Sequence, residues 1–143
     1  MPPYIKNSHV SPSRYQTVYA KEKGSVAAPT AGLHFTNRLI KELKNMGVQF
    51  EEVILHVGRG TFMPVKTEFI DDHKMHCEVY KISKKTAFNL NKAKSENRRI
   101  IAIGTTSVRV LETVYSFKDG FSPRVGETNI FIYPGNYKWN IID

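Results

Sequence analysis

The chain has 143 residues, 41% of them hydrophobic and 24% charged, with a formal net charge of +8. Such values describe an ordinary soluble globule, one domain long and able to bury a real core. No apolar run approaches the roughly 20 residues of a membrane span, and Met-Pro-Pro-Tyr does not begin a signal peptide. The single cysteine, Cys77, excludes an internal disulfide and fits a reducing cytoplasm.

Residues 1–14 hold three prolines and no periodicity, and read as an extended arm ahead of one α/β domain over 15–143. His9 within the arm reads as exposed. Tyr15 to Ala20 carries strand-like residues. The run Gly24-Ser25-Val26-Ala27-Ala28-Pro29-Thr30-Ala31-Gly32-Leu33-His34-Phe35-Thr36 is small and almost uncharged. Pro29 removes a donor and biases Ala28 towards extended geometry, while Gly32 is free to take angles closed to other residues. It suits neither strand nor helix, and it reads as a site loop rather than a packed connection.

Thr36 then caps a helix over 37–46, with Leu39, Ile40, Leu43 and Met46 as its apolar stripe and Gly47 as its stop. Val48 to Val57 reads as a strand leading into Gly58-Arg59-Gly60-Thr61-Phe62. Pro64 to Lys74 is an acidic loop. Met75 to Ile82 alternates as a half-buried strand, placing His76, Glu78 and Tyr80 on one side. Ser83 opens a second helix to Lys94, with Ala87, Leu90 and Ala93 or Lys94 inward. Arg99 to Ile103 reads as a short buried strand, and Gly104-Thr105-Thr106-Ser107 turns it into a third helix bearing Val108, Leu111 and Tyr115. Residues 117–127 form a loop and Thr128 to Tyr133 a last strand. Strands alternating with helices predict an α/β fold with a mixed, largely parallel sheet and flanking helices.

In an open α/β sheet, ligands gather beyond the carboxyl ends of strands. The turns at Gly58 and Gly104 follow strands, and share one rim if those strands run parallel. The second opens a helix, whose free N–H groups and three hydroxyls suit a carboxylate or phosphate, although ordinary capping uses the same residues. His34, His56 and His76 are the proton-transfer candidates, with Glu78 able to fix the His76 tautomer. They are expected to meet the Gly104 turn in one pocket. His73-x-x-His76-Cys77 falls short of a zinc site, because no second ligand cluster matches it. The positive excess lies before Ile101, and Lys41, Lys44, Lys84, Lys85, Lys92 and Lys94 fall on polar helix faces. They read either as solvated faces or as a field for phosphate backbones.

From Arg14 to Thr36, RYQTVYAKEKGSVAAPTAGLHFT closely resembles the signature of the S-adenosylmethionine:tRNA ribosyltransferase-isomerases, the QueA family. Four further motifs are similar in order and spacing: Leu55-His56-Val57-Gly58-x-Gly60-Thr61-Phe62, His73-x-Met75-His76-x-Glu78, Gly104-Thr105-Thr106-Ser107-x-Arg109-x-Leu111-Glu112, and Thr128-x-Ile130-Phe131-Ile132-Tyr133-Pro134-Gly135. Arg59, Glu127, Asn129 and an inserted Asn136 depart from the family pattern. Family members are more than twice as long, so the likeness is to a central piece lacking the N-terminal β-barrel domain and a C-terminal Asn-Phe-His-Leu-Pro segment.

The resemblance implies transfer of the ribosyl unit of S-adenosylmethionine to 7-aminomethyl-7-deazaguanine in a tRNA with a GUN anticodon. Adenine and methionine leave, and the ribose isomerises to the epoxycyclopentanediol of epoxyqueuosine. S-adenosylmethionine is a co-substrate, and neither a cofactor nor a metal is expected. The catalytic candidates are His34, His56, His76 and Glu78. The substrate-binding candidates are Ala28, Pro29, Thr30, Gly32, Gly58, Gly60, Thr61, Gly104, Thr105, Thr106, Ser107 and Arg109. A cytoplasmic monomer, or a weakly self-associating chain that is an inactive piece of the enzyme, is expected. The competing reading is a non-catalytic basic α/β module that binds RNA, for which the uncharged signature from Ala27 to His34 has no use.

Overall fold

The computed structural model describes residues 11–116, 118–135 and 137–142. Most of the expected N-terminal arm, including His9, and the insertion at Asn136 lie outside those residues. Among the described residues three α-helices, α1 (Asn37–Asn45), α2 (Lys84–Ser95) and α3 (Gly104–Val114), accompany three strands, β1 (Val53–His56), β2 (Glu78–Ile82) and β3 (Arg124–Thr128). Short 3-10 turns cover Pro12–Tyr15, Thr30–His34, Arg59–Phe62 and Ile70–Asp72.

The fold is mixed α/β, but the sheet is antiparallel throughout, in the order β1-β2-β3. The expected parallel sheet is therefore corrected, and the connections explain why. Between β1 and β2 lie only 3-10 turns, with no crossover helix to carry the chain back. Between β2 and β3 lie two helices, α2 and α3, and their out-and-back path starts β3 near the end where β2 stopped. Three expected strands also dissolve or move. Arg99 to Ile103 joins no ladder, and of the expected buried residues Ile100 is buried but Ile101 is 61% exposed. The last strand forms upstream, at Arg124–Thr128, inside the expected loop, and Asn129 to Tyr133 stays outside the sheet. Tyr15 to Ala20 holds a 3-10 end and a turn rather than a strand.

Register assigns the faces. Leu55 pairs with Tyr80 and Tyr80 with Gly126, while Glu78 pairs with Thr128. With a side-chain period of two, these residues share the inner face. There Leu55, Tyr80 and Ile82 join Ala87 and Leu90 of α2 and Val110, Leu111 and Val114 of α3 in the core, with Ile100, Phe121 and Ile141. Gly126 makes room for the Tyr80 ring, because a Cβ there would lie 2.9 Å from its hydroxyl oxygen. His56, Val79 and Glu127 align on the opposite face.

The expected caps form. The Thr36 hydroxyl accepts from Leu39 N–H at 3.1 Å, Gly47 ends α1 at φ +90°, and Ser83 accepts from Thr86 N–H at 3.0 Å. α1 itself is peripheral: Leu39, Ile40 and Leu43 are half-buried, while Met46 of the predicted stripe is 78% exposed.

α3 also anchors the last residues. The buried Glu112 carboxylate accepts from the Tyr137 hydroxyl at 2.8 Å, the Asn140 side-chain amide at 3.0 Å and the backbone N–H groups of Asn140 and Ile141. Burial, then the hydrogen bond to Glu112 and its negative charge, push the Tyr137 phenol up to about 12. The folded value lies above the ordinary 10.0. Its contribution to stability is thus complete below pH 10 and lost as pH rises through 12. The melting-temperature difference between the native chain and Tyr137→Phe is expected to favour the native chain at pH 8 and to vanish by pH 12. A constant difference across that range would mean that burial and Glu112 do not raise the phenol.

Candidate functional site

The signature run folds as a wall. Ser25 Oγ donates to Leu55 O and accepts from Val57 N–H, each at 3.0 Å, and Val26 N–H donates to Val57 O at 3.0 Å. These bonds clip the run onto the end of β1. Pro29 then opens the 3-10 turn, closed by Gly32 N–H to Pro29 O at 2.8 Å. Gly32 is buried under Tyr19: a Cβ there would fall 1.9 Å from the tyrosine oxygen and 2.8 Å from a Thr17 methyl. Only glycine fits without a shift.

The opposite wall is the start of α3. Gly104 takes φ +80°, and a Cβ on it would meet the Ala31 methyl at 3.4 Å, so the two walls nearly touch. The N-cap is Ile103, whose side chain caps nothing. Among the described residues the first-turn N–H groups consequently lack an intrahelical or N-cap side-chain acceptor, and they present positive potential. Ser107 is spent locally, donating to Ile103 O at 3.0 Å.

Between the walls lies a cleft of about 300 Å³, lined by Ala27 to Ala31, Leu55, Val57, Thr61, Glu78, Gly104 to Thr106 and Arg109. That is the low end of the range for small-molecule pockets. Its floor holds an ion pair. Glu78, 5% exposed, accepts from Gly58 N–H at 3.1 Å through one oxygen and from Arg109 Nη1 through the other. Arg109 Nη2 leans on Thr128 O at 3.5 Å, and its Nε is buried without a partner among the described residues. One carboxylate thus joins the Gly58 turn, β2 and α3, and Arg109 extends the link to the end of β3.

The predicted residues divide accordingly. Ala28, Pro29, Thr30, Thr61, Glu78, Gly104, Thr105, Thr106 and Arg109 line the cleft, whereas Gly32, Gly58, Gly60 and Ser107 do not. None of the three histidines lines it. His34 ends the 3-10 turn and is exposed. His56 lies on the outer sheet face against Gly24, where a Cβ would come within 2.4 Å of its ring. His76 is exposed and packs over Gly60, with a corresponding approach of 2.1 Å. The expected convergence of the three imidazoles on the Gly104 turn is not seen, because none of them lines the cleft that this turn walls and His56 lies on the outer sheet face. The expected His76–Glu78 pairing fails as well, since Glu78 is committed to Gly58 and Arg109.

The Glu78–Arg109 contact is what sequence reasoning missed, although both residues stood in its motifs. Among the described residues, no three His, Cys, Asp or Glu side chains group to hold a metal ion. No helix there is long and apolar enough to cross a membrane.

Residues 1–143 match the family described as queuosine biosynthesis protein. A curated relative from Carboxydothermus hydrogenoformans, named S-adenosylmethionine:tRNA ribosyltransferase-isomerase, is 61% identical over all of this chain and 42% of its own length. One of the same name from Natranaerobius thermophilus is 53% identical over all of this chain and 41% of its own length. A crystal structure of S-adenosylmethionine tRNA ribosyltransferase from Thermotoga maritima superposes with a TM-score of 0.59 at 40% identity. That match covers 79% of this chain and 34% of the other. The chain therefore spans well under half the length of these relatives.

Proposed function

The chain belongs to the queuosine biosynthesis protein family, and on that premise we propose that its cleft is the S-adenosylmethionine site of a tRNA ribosyltransferase-isomerase. The observation that carries the reading is the cleft between a wall of small residues, Ala27 to Ala31, and the uncapped start of α3. Small side chains let a flat purine or ribose approach the backbone. The helix start offers unpaired N–H groups and positive potential to the carboxylate of the methionine arm. The second substrate is 7-aminomethyl-7-deazaguanine in a tRNA with a GUN anticodon, and the reaction proceeds in the cytoplasm without a metal or redox cofactor. His34, His56 and His76, the candidates for the base that takes a proton beside the sulfonium and for the acid that assists adenine departure, lie off the cleft lining.

The reading is tested at Thr106, which lines the cleft in the first turn of α3. Thr106→Val keeps the shape and removes the hydroxyl. A hydrogen bond to a charged group contributes roughly 1.5–3 kcal/mol, so affinity for S-adenosylmethionine is expected to fall by about tenfold or more in calorimetry. Unchanged affinity with unchanged melting would leave Thr106 as an ordinary helix-start residue and move the site elsewhere.

A further inference from the structure

The cleft gathers two sources of positive potential. One is the start of α3, and the other is Arg109, five residues further along the same helix. At 1.5 Å rise per residue they lie about 7.5 Å apart along the axis. That span is comparable with the reach of a three-carbon arm ending in a carboxylate. A ligand whose carboxylate sits at the helix start would then carry the other end of its arm close to Arg109. If that end is a sulfonium, it meets a guanidinium of the same sign.

Glu78 resolves the conflict. It is the one carboxylate lining the cleft among the described residues, and it is bound to Arg109 Nη1. Resting on the S-adenosylmethionine reading above, we propose that Glu78 is a specificity-determining residue that cancels the Arg109 charge and so admits a cationic nucleoside sulfonium. Its role is electrostatic and positional: the carboxylate transfers no proton, and its second oxygen holds the Gly58 turn that carries Thr61 to the rim. Replacing it by the amide preserves size and an acceptor for Gly58 N–H, while leaving Arg109 uncancelled. A unit charge a few ångströms away, at the floor of the cleft where Arg109 and Glu78 are 15% and 5% exposed, is expected to disfavour a cation by roughly tenfold or more. A neutral thioether of the same shape escapes that penalty.

The experiment compares S-adenosylmethionine with S-adenosylhomocysteine, which lacks the sulfonium charge, by calorimetry on the 143-residue chain at fixed salt. In Glu78→Gln, affinity for the cation is expected to fall about tenfold further than affinity for the thioether. The double variant Glu78→Gln with Arg109→Gln removes both charges and is expected to return the ratio of the two affinities to within about twofold of the native value. Because the ratio is taken within each variant, partial unfolding cancels. It also leaves the double variant as an independent reading if the single one folds poorly. Parallel loss of both ligands in Glu78→Gln, or a ratio that the double variant does not restore, would overturn the proposal while leaving the cleft as the nucleoside site. A native chain that binds neither nucleoside at millimolar concentration would overturn the underlying site assignment, and this proposal with it.

Discussion

Arg109→Ala is expected to lower the unfolding free energy by about 3–5 kcal/mol, the largest single-residue effect on stability that the site offers. The reason is what remains behind. Glu78 is 5% exposed, and among the described residues its carboxylate without the guanidinium keeps only the Gly58 N–H as partner. An uncompensated charge then sits in the floor of the cleft, tied to three segments that the pair had held together. The Lys21–Glu52 pair provides the control, with side chains 69% and 56% exposed. Solvent screens it, and Lys21→Ala is expected to cost no more than about 1 kcal/mol. Chemical denaturation of both variants checks the contrast. Equal, small losses would show that water reaches Glu78 and that the pair is no anchor.

Much of the site was legible because its parts are local. Thr36, Gly47 and Ser83 announced helix ends through chemistry that acts within a single turn, and the α3 start was visible in Gly104 to Ser107. Glu78 and Tyr80 were rightly placed on one side of a half-buried strand, since alternation is also local. Partnership was not legible. Arg109 lies 31 residues from Glu78 in sequence, and nothing in either segment distinguishes an arginine from the nearby His76 as the partner. Strand direction was hidden for a similar reason. A strand–helix alternation suggests crossovers, but pairing depends on how many elements lie between strands and where they return the chain.

β3 illustrates the rest. Asn129-Ile130-Phe131-Ile132-Tyr133 has the stronger strand propensity, whereas Arg124-Val125-Gly126-Glu127-Thr128 includes a glycine and two charges. The weaker segment forms the strand because it fits β2. Gly126 clears the Tyr80 ring, and Thr128 reaches Thr113 of α3 at 2.6 Å. The stronger segment is used elsewhere: Phe131 stacks edge-on against His73, and Tyr133 bonds to Asp71. Those contacts tie the acidic loop to the end of the chain. Tertiary fit overrode intrinsic preference.

Incubated alone with S-adenosylmethionine and tRNA bearing the aminomethyl-deazaguanine, the 143-residue chain is expected to release no adenine above background. The argument begins with the cleft. One wall is Ala27 to Ala31 and the other is the start of α3, with Thr30 and Thr105 exposed at the rim, so water has free entry. Ribosyl transfer through charged intermediates depends on excluded water and preorganised dipoles, and an open site weakens each electrostatic contribution. Proton transfer fails next. Among the described residues the only ionisable groups on the lining are Glu78 and Arg109, already bound to each other, while His34, His56 and His76 stand apart from it. A wobble base must also be turned out and gripped, which draws contacts from several elements. The relative from Carboxydothermus hydrogenoformans, for which this chain covers 42% of the length, has room for those elements. Binding of tRNA to the isolated chain is accordingly expected to be weak and to fall steeply with salt, as phosphate contacts to exposed lysines do. Chromatographic detection of adenine over many turnovers from the purified chain would overturn this expectation, because the base, the acid and the grip on tRNA would then all have to lie within these residues.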